Sequence, residues 1–346
     1  MTTITVQQLT DQAVFIHLEI TCWSGRKTLQ PEDLGLTRAS LPPGDLVSLG
    51  DKTLIDPATL QVFTGLRAAA RRACLAVGVR FLGGYLVPVT RAQPLLDRLD
   101  QFAGQFEEAR RTFLAGFETR LDDWIQAHPG WSALLTAGRI SRETVAGRLG
   151  FAVQAVQLAD PTGAVQHPGL DRAVGGLAET LFRDVGVMAG EVLEQSLLGR
   201  TQVTRRALRP LVALRDKLDG LSFLDHRVRP VVGAIDDLLA SLPRRGPLQG
   251  RDLEALIGFL SVVEQPARLK AHGARLRAAE SGGTGDPADP VDPEAVMTIG
   301  DREALIKAPD PVIRDIPPVS TPMAVPDLSG ADATPAVPID DGGWFF

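Results

Sequence analysis

The sequence predicts an α+β protein that is predominantly helical: a small N-terminal β-sheet with one helix, a long amphipathic coiled-coil-like helix, a helical bundle, and a disordered C-terminal tail. Three observations carry this. Residues 13–23 (AVFIHLEITCW) alternate in hydropathy with a period of two, the mark of a half-buried strand. From Thr90 the apolar spacing changes to 4, 3, 4, 3, 4 through Leu95, Leu99, Phe102, Phe106, Ala109 and Phe113, the period of a helix. After Glu280 the run SGGTGDPADPVDP opens a segment with eleven prolines and few apolar residues, too little buried surface to offset the entropy of ordering. The natural divisions are residues 1–89, 90–280 and 281–346.

In chain order, Val14, Ile16, Leu18, Ile20 and Cys22 define one face of the first strand. A proline- and glycine-marked loop follows, and Lys52–Ile55 reads as a short second strand. Asp56-Pro57 is a helix start, with a capping side chain and a proline in the first turn. That helix should reach Val77 and stop at Gly78 as a left-handed cap. Residues 79–89 read as extended, broken at Gly83-Gly84. The helix beginning near Thr90 continues through Phe117, Leu121 and Trp124 to a stop at Pro129, roughly thirty-five residues or about 50 Å. A stripe of that length needs a partner helix or a second copy of the chain, so residues 90–127 are a candidate homo-oligomerisation element. Further helices are expected at about 141–158 (Ser141 as N-cap), 170–198 (Gly199 as stop), 201–219 (Thr201 as N-cap), 226–241 and 250–279. Pro210 and Pro266 should kink or split theirs. Glu294–Ile306 is the one island in the tail that could form a helix.

Charge is distributed unevenly. From Ser281 onward twelve carboxylates face three basic residues, a net −9; the whole chain is −6, so residues 1–280 carry +3. A mildly basic body therefore precedes a strongly acidic tail, which could fold back on it. Cys22 and Cys74 form neither a disulfide framework nor a metal-ligand spacing, which fits a reducing cytoplasm. The N-terminus lacks the basic and apolar regions of a signal peptide. No apolar run approaches the ~18 residues of a membrane span.

Catalytic and cofactor motifs do not emerge. In Gly44-Asp-Leu-Val-Ser-Leu-Gly50-Asp51-Lys52-Thr53 five residues separate the glycines and an aspartate precedes the lysine. A phosphate loop needs four, with lysine directly after the second glycine, so an ordinary loop is the better reading. His17, His128, His167, His226 and His272 are scattered, and no zinc spacing results. No Gly-x-Ser-x-Gly elbow is present. Neither a cofactor nor a catalytic residue is nominated. Three candidate binding features remain. The chain ends in Trp344-Phe345-Phe346 after Asp340 and Asp341, a tethered aromatic tip suited to a partner pocket. Trp23, Arg26 and Lys27 leave the end of a strand, and Arg80 and Tyr85 flank two glycines; together they are a candidate anion pocket, though packing explains the same residues. Arginines recur in pairs at 71–72, 110–111, 205–206 and 244–245. Arg205, Arg206 and Arg209 are candidate nucleic-acid contacts if the pairs share a face, against the simpler reading of a solvated helix surface.

The segments TCWSGRKTLQPEDLGL (21–36), LPPGDLVSLGDKTLIDP (41–57) and RRACLAVGVRFLGGYLVP (71–88) resemble an uncharacterised bacterial family, domain of unknown function 3150. The similarity runs from Val14 to about Trp131, and more loosely through GRLGFAVQAVQL (147–158). The family brings no established activity and no catalytic residues. What the resemblance implies is context: plasmids and integrative elements, and neighbours that include a MoxR-type AAA+ ATPase and a von Willebrand-type protein.

The leading expectation is thus a non-catalytic helical adaptor of a mobile-element or phage-like system, cytoplasmic and not membrane-bound, with a protein partner that could be an AAA+ ATPase. The alternatives are a nucleic-acid-associated accessory of replication or recombination, and an enzyme of unrecognised type.

Overall fold

The computed structural model describes residues 6–37, 41–43, 46–158 and 169–281. All belong to one compact unit. The tail residues Asp340, Asp341 and Trp344–Phe346, and the Glu294–Ile306 island, lie outside the described residues.

A short helix α1 (Val6–Gln12) leads into β1 (Ala13–Thr21), the alternating segment. β2 (Arg26–Thr28) and β3 (Asp51–Thr53) pair antiparallel as a separate ribbon. The Lys52 region is thus a strand, as its sequence suggests, but it joins β2 rather than the main sheet. Asp56 accepts a hydrogen bond from the Ala58 amide at 2.9 Å and starts a 3-10 turn, which runs into α2 (Gln61–Val77). Gly78 stops α2, but not as a left-handed cap: its backbone is extended, φ −126° and ψ −177°. Glycine is required there by space, because a Cβ would stand 2.5 Å from the Leu86 carbonyl oxygen.

β4 (Val79–Phe81) and β5 (Gly84–Pro88) form a hairpin closed by Leu82-Gly83. The helical stripe follows as α3 (Val89–Ala115) and α4 (Phe117–Ala127), broken only at Gly116. Arg120 donates from Nη1 to the Phe113 carbonyl at 3.3 Å, satisfying an acceptor released by that break. After α5 (Ser132–Ala137), Ser141 caps α6 (Arg142–Ala146) through its oxygen, which accepts from the Thr144 amide.

The expected helix over 141–158 ends there. Residues Gly150–Val156 are β6, antiparallel to β1 over a seven-residue register from Phe15↔Val156 to Thr21↔Gly150. The alternating Phe151, Val153 and Ala155 after Gly150 let the run satisfy its backbone on the free edge of β1, and tertiary pairing overrides a weak helical pattern. The sheet order is β4-β5-β1-β6.

The bundle comprises α7 (Gly169–Gly175), α8 (Leu177–Val192), α9 (Arg209–Gly220), α10 (Val228–Ser241), α11 (Arg251–Val263) and α12 (Pro266–Ser281). Between α8 and α9 lies β7 (Gln202–Val203), and between α10 and α11 lies β8 (Leu248–Gln249); these two strands pair. The expected helix from Thr201 therefore starts eight residues later. Residues 202–203 are taken by the ladder, and Pro210 occupies the first turn of α9 instead of kinking it. Pro266 does split its helix, between α11 and α12.

The sheet is covered on both faces. Ile16, Tyr85 and Val87 pack with Ala70, Ala73 and Cys74 of α2 and with Leu95 and Leu99 of α3. On the opposite face Leu9, Ala13, Val79, Phe81 and Leu86 join a core built by α8 to α12. A third cluster gathers Trp23, Leu54, Ile55 and Phe63 around Phe106, Phe113, Phe117 and Leu121. The apolar stripe of residues 90–127 therefore finds its partners inside the chain, in α2, β6 and the loop after β1.

Candidate functional site

The five residues of the candidate anion pocket are distributed between two places. Trp23 is buried among Phe113 and Phe117, ring centroids 6.4 and 5.8 Å away, and its Nε1 has no hydrogen-bond partner. Arg26 and Lys27 lie on the exposed β2 ribbon, opposite Thr53 and Lys52. Lys52 is buried and held by Asp33 at 2.6 Å; hydrogen bonds from the Gln30 amide and from Lys52 keep the Asp33 carboxyl below the usual carboxylate range. Arg80 and Tyr85 face each other across the β4–β5 hairpin. Since Tyr85 stands opposite Ile16, five residues before the end of β1 at Thr21, roughly 17 Å of strand separates it from that end. Burial pushes the Tyr85 phenol up from its ordinary value. Arg80 and Tyr85 instead border a recess of about 390 Å³ with Thr180 and Arg183 of α8.

The paired arginines also separate into two kinds. Arg110 and Arg111 are neutralised within their own helix by Glu107 and Glu108. Arg215 is held by a fork to Asp236, both bonds at 2.9 Å, and by Asp216 and Asp219. Asp236 in particular raises its pKa. These charges are internally spent.

Arg205, Arg206 and Arg209 are different. They occupy the 3-10 turn and first residue of α9 and are exposed. Arg205 donates from Nη1 to the Pro243 carbonyl, which places it beside Arg244 and Arg245. The ladder Gln202↔Gln249 and Val203↔Leu248 stitches the same two stretches together, and its register runs on toward Arg200 and Arg251. Stretches 200–209 and 242–251 contain seven arginines and not one Asp or Glu. All seven are exposed, and none is ion-paired among the described residues. Between them is a recess of about 370 Å³ whose floor is Leu208, Val212 and Leu239, with Arg205 and Arg209 at its rim. The structure thus brings the stretches that carry the 205–206 and 244–245 pairs side by side, with Arg200 and Arg251 at the end of the same ladder. Sequence reasoning had a signal for those two, the lack of any carboxylate across both stretches, but not the short ladder that joins them.

The scan of family models matches residues 10–265 to "Protein of unknown function (DUF3150)". The chain belongs to this family. The match covers the sheet, both long helices and the bundle through α11, including the whole arginine edge. No curated protein and no solved structure matches the chain.

Other chemistry-bearing groups are engaged or enclosed. Among the described residues no group of His, Cys, Asp and Glu could hold a metal ion, and no helix is long and apolar enough to cross a membrane. Burial raises the Cys74 thiol to about 12 and the Cys22 thiol more modestly, against nearby Arg67 and Arg71. Lys217 is buried, its Nζ donating to the Leu75 carbonyl at 2.8 Å and lying 3.5 Å from Asp184. Desolvation lowers its pKa, and Asp184 opposes that shift.

Proposed function

We propose that this family member is a non-catalytic adaptor that holds the phosphate backbone of a nucleic acid on its arginine edge. The observation that carries the reading is local charge: seven exposed, unpaired arginines drawn from two stretches that contain no carboxylate. A net charge of +3 over the body understates such an edge, because the acidic residues lie outside these two stretches. Guanidinium groups fit phosphate oxygens bidentately, and neutralising them with DNA releases counterions. The apolar floor between Arg205 and Arg209 suits the sugar or base that accompanies a bound phosphate. Stacking aromatics do not line this recess, which favours backbone contact over base readout.

The other half of the adaptor reading comes from sequence. Trp344, Phe345 and Phe346, with Asp340 and Asp341 beside them, would engage a protein partner, for which an AAA+ ATPase of a mobile-element or phage-like system is our choice. Free Cys22 and Cys74 accord with a cytoplasmic setting.

Photocrosslinking of the full chain to a DNA duplex, followed by peptide mapping, tests the nucleic-acid half. Adducts concentrated in residues 200–209 and 242–251 are expected; adducts spread evenly, or none at low salt, would overturn it. For the partner half, deleting residues 340–346 should remove specific proteins from a native-level pull-down, and an unchanged set would refute it.

A further inference from the structure

We infer that the free edge of β6 is a self-association surface, on which β6 of a second copy of this chain pairs antiparallel across a twofold axis. The two four-stranded sheets then run on as one. In the order β4-β5-β1-β6, β6 bonds to β1 on one side and, among the described residues, to no strand on the other. Roughly half of the amides and carbonyls of an edge strand point outward, unpaired by its own sheet.

What sets this edge apart is the lack of any guard. Edge strands are normally kept from pairing by shortness, charge, proline or a bulge. The opposite edge of the sheet, β4, is three residues long and carries exposed Arg80. The β2–β3 ribbon is equally short and presents Arg26 and Lys27; β7 and β8 have two residues each. β6 has seven residues, with no charge and no proline from Leu149 to Leu158. Its register against β1 is unbroken from Thr21↔Gly150 to Phe15↔Val156, so no bulge turns the strand away. Small side chains leave the edge open: Ala152, Gln154, Ala155 and Val156 are exposed, Val156 by 50 %.

The residue pattern selects the occupant. An uncharged strand gives a charged ligand nothing to hold, and its outward main-chain groups match those of another strand. A twofold axis normal to the sheet sets like faces together, and directly opposed residues share a face. Phe151, Val153 and Ala155 lie on the side packed by α3 and meet the same three of the second copy. Ala152, Gln154 and Val156 meet their own counterparts on the other face. Apolar then opposes apolar with no like-charge contact. Such a pair is closed and uses up the edge in both copies, whereas joining β6 to the β4 edge of another copy would bring Arg80 against an uncharged strand and leave free edges at both ends. The apolar stripe of α3 and α4 is buried within the chain, so it does not compete for this role.

Sedimentation velocity of the full chain from about 1 to 100 µM tests the inference. A strand pair of seven residues lies at the low end of stable interface sizes, so a monomer–dimer equilibrium with a Kd of about 1–100 µM is expected. Ala152→Lys combined with Gln154→Lys places like charges across the axis and should weaken the dimer by about tenfold or more. Both positions are exposed, so the far-UV circular dichroism of this variant should match that of the wild type. Independently of it, Ala152→Cys, Gln154→Cys and Val156→Cys, each treated with a short bis-maleimide, should yield in at least one case a dimer linked at the substituted position, as read by peptide mapping. A wild-type chain that stays monomeric to about 100 µM, a dimer indifferent to the double lysine variant, species larger than the dimer, or no crosslink at any of the three positions would each overturn the inference. The dimer should persist in about 0.5 M salt and in the chain with Arg205, Arg206 and Arg209 replaced by Gln, so it and the arginine-edge reading fail separately.

Discussion

Removing the charge of Asp184 should destabilise the fold more than removing the buried lysine it faces. Lys217 is only 1 % exposed at its side chain, and Asp184 is 22 % exposed. The ammonium makes one close contact, to the Leu75 carbonyl at 2.8 Å, and a long one to Asp184 at 3.5 Å. That contact ties α9 to the C-terminal turn of α2. Asp184→Asn leaves the ammonium buried with no counter-charge. Breaking a buried pair in this way costs ~3–5 kcal/mol, and partial solvation of Asp184 reduces the expectation to about 2–3 kcal/mol. Lys217→Met keeps the volume, loses one hydrogen bond to a carbonyl worth about 1–2 kcal/mol, and is relieved of the ammonium's desolvation. Its net cost should stay within about 1 kcal/mol. Urea unfolding at neutral pH, analysed by linear extrapolation, measures both. A Lys217→Met cost equal to or above that of Asp184→Asn would refute the reasoning. The pH dependence supplies a second check. Burial holds the Lys217 pKa below its ordinary 10.5. As pH rises through the interval between that depressed value and 10.5, the folded state loses its proton first. The unfolded state then binds more protons, and stability attributable to Lys217 rises with pH. The wild type should gain on Lys217→Met across that interval; a widening deficit would contradict the burial argument.

Three further outcomes are expected. Phe106→Ala should cost about 3–5 kcal/mol in the same unfolding assay, because Phe106 is 1 % exposed and stacks with Phe63 and Phe151; a loss under 1 kcal/mol would mean that the cluster repacks. Gly78→Ala should cost about 1–3 kcal/mol, since its Cβ would meet the Leu86 oxygen at 2.5 Å and Val87 at 2.8 Å; a neutral result would restore a purely conformational role for this glycine. Cys74, with its thiol pushed up to about 12, should resist iodoacetamide at pH 8 in the native protein and react only after denaturation, as counted by intact-mass spectrometry; rapid native labelling would show that α2 opens.

Much of the fold could be read from local patterns because the physical cause was local. The alternation of Val14, Ile16, Leu18 and Ile20, the cap at Asp56, the stripe from Leu95 to Leu121 and the split at Pro266 each depend on neighbours within a few turns. The failures depend on distant residues. Gly150–Val156 is a strand because β1 offers it an edge some 130 residues earlier in sequence. Gln202-Val203 leaves the helix because Leu248-Gln249 pairs with it. Gly78 is fixed by the approach of Leu86, which no helix-capping rule contains. The site follows the same division. Pairs of arginines are visible in the sequence, but which are neutralised is not: Arg215 is silenced by Asp236 from another helix, whereas Arg205 meets a backbone carbonyl and keeps its charge. Arg80 and Tyr85 were legible as a pair through their flanking glycines, while their companions Thr180 and Arg183 come from a helix a hundred residues on.

The most direct test of the central claim is the salt dependence of duplex binding by the full chain, measured by fluorescence anisotropy from low to physiological ionic strength. Each neutralised phosphate contributes about −0.9 to the slope of log Kobs against log salt, so four to seven engaged arginines predict roughly −4 to −6. Replacing Arg205, Arg206 and Arg209 together by Gln should flatten the slope by about 3. A slope shallower than about −1, or one that the triple replacement leaves unchanged, would contradict the assignment of the arginine edge as a nucleic-acid interface.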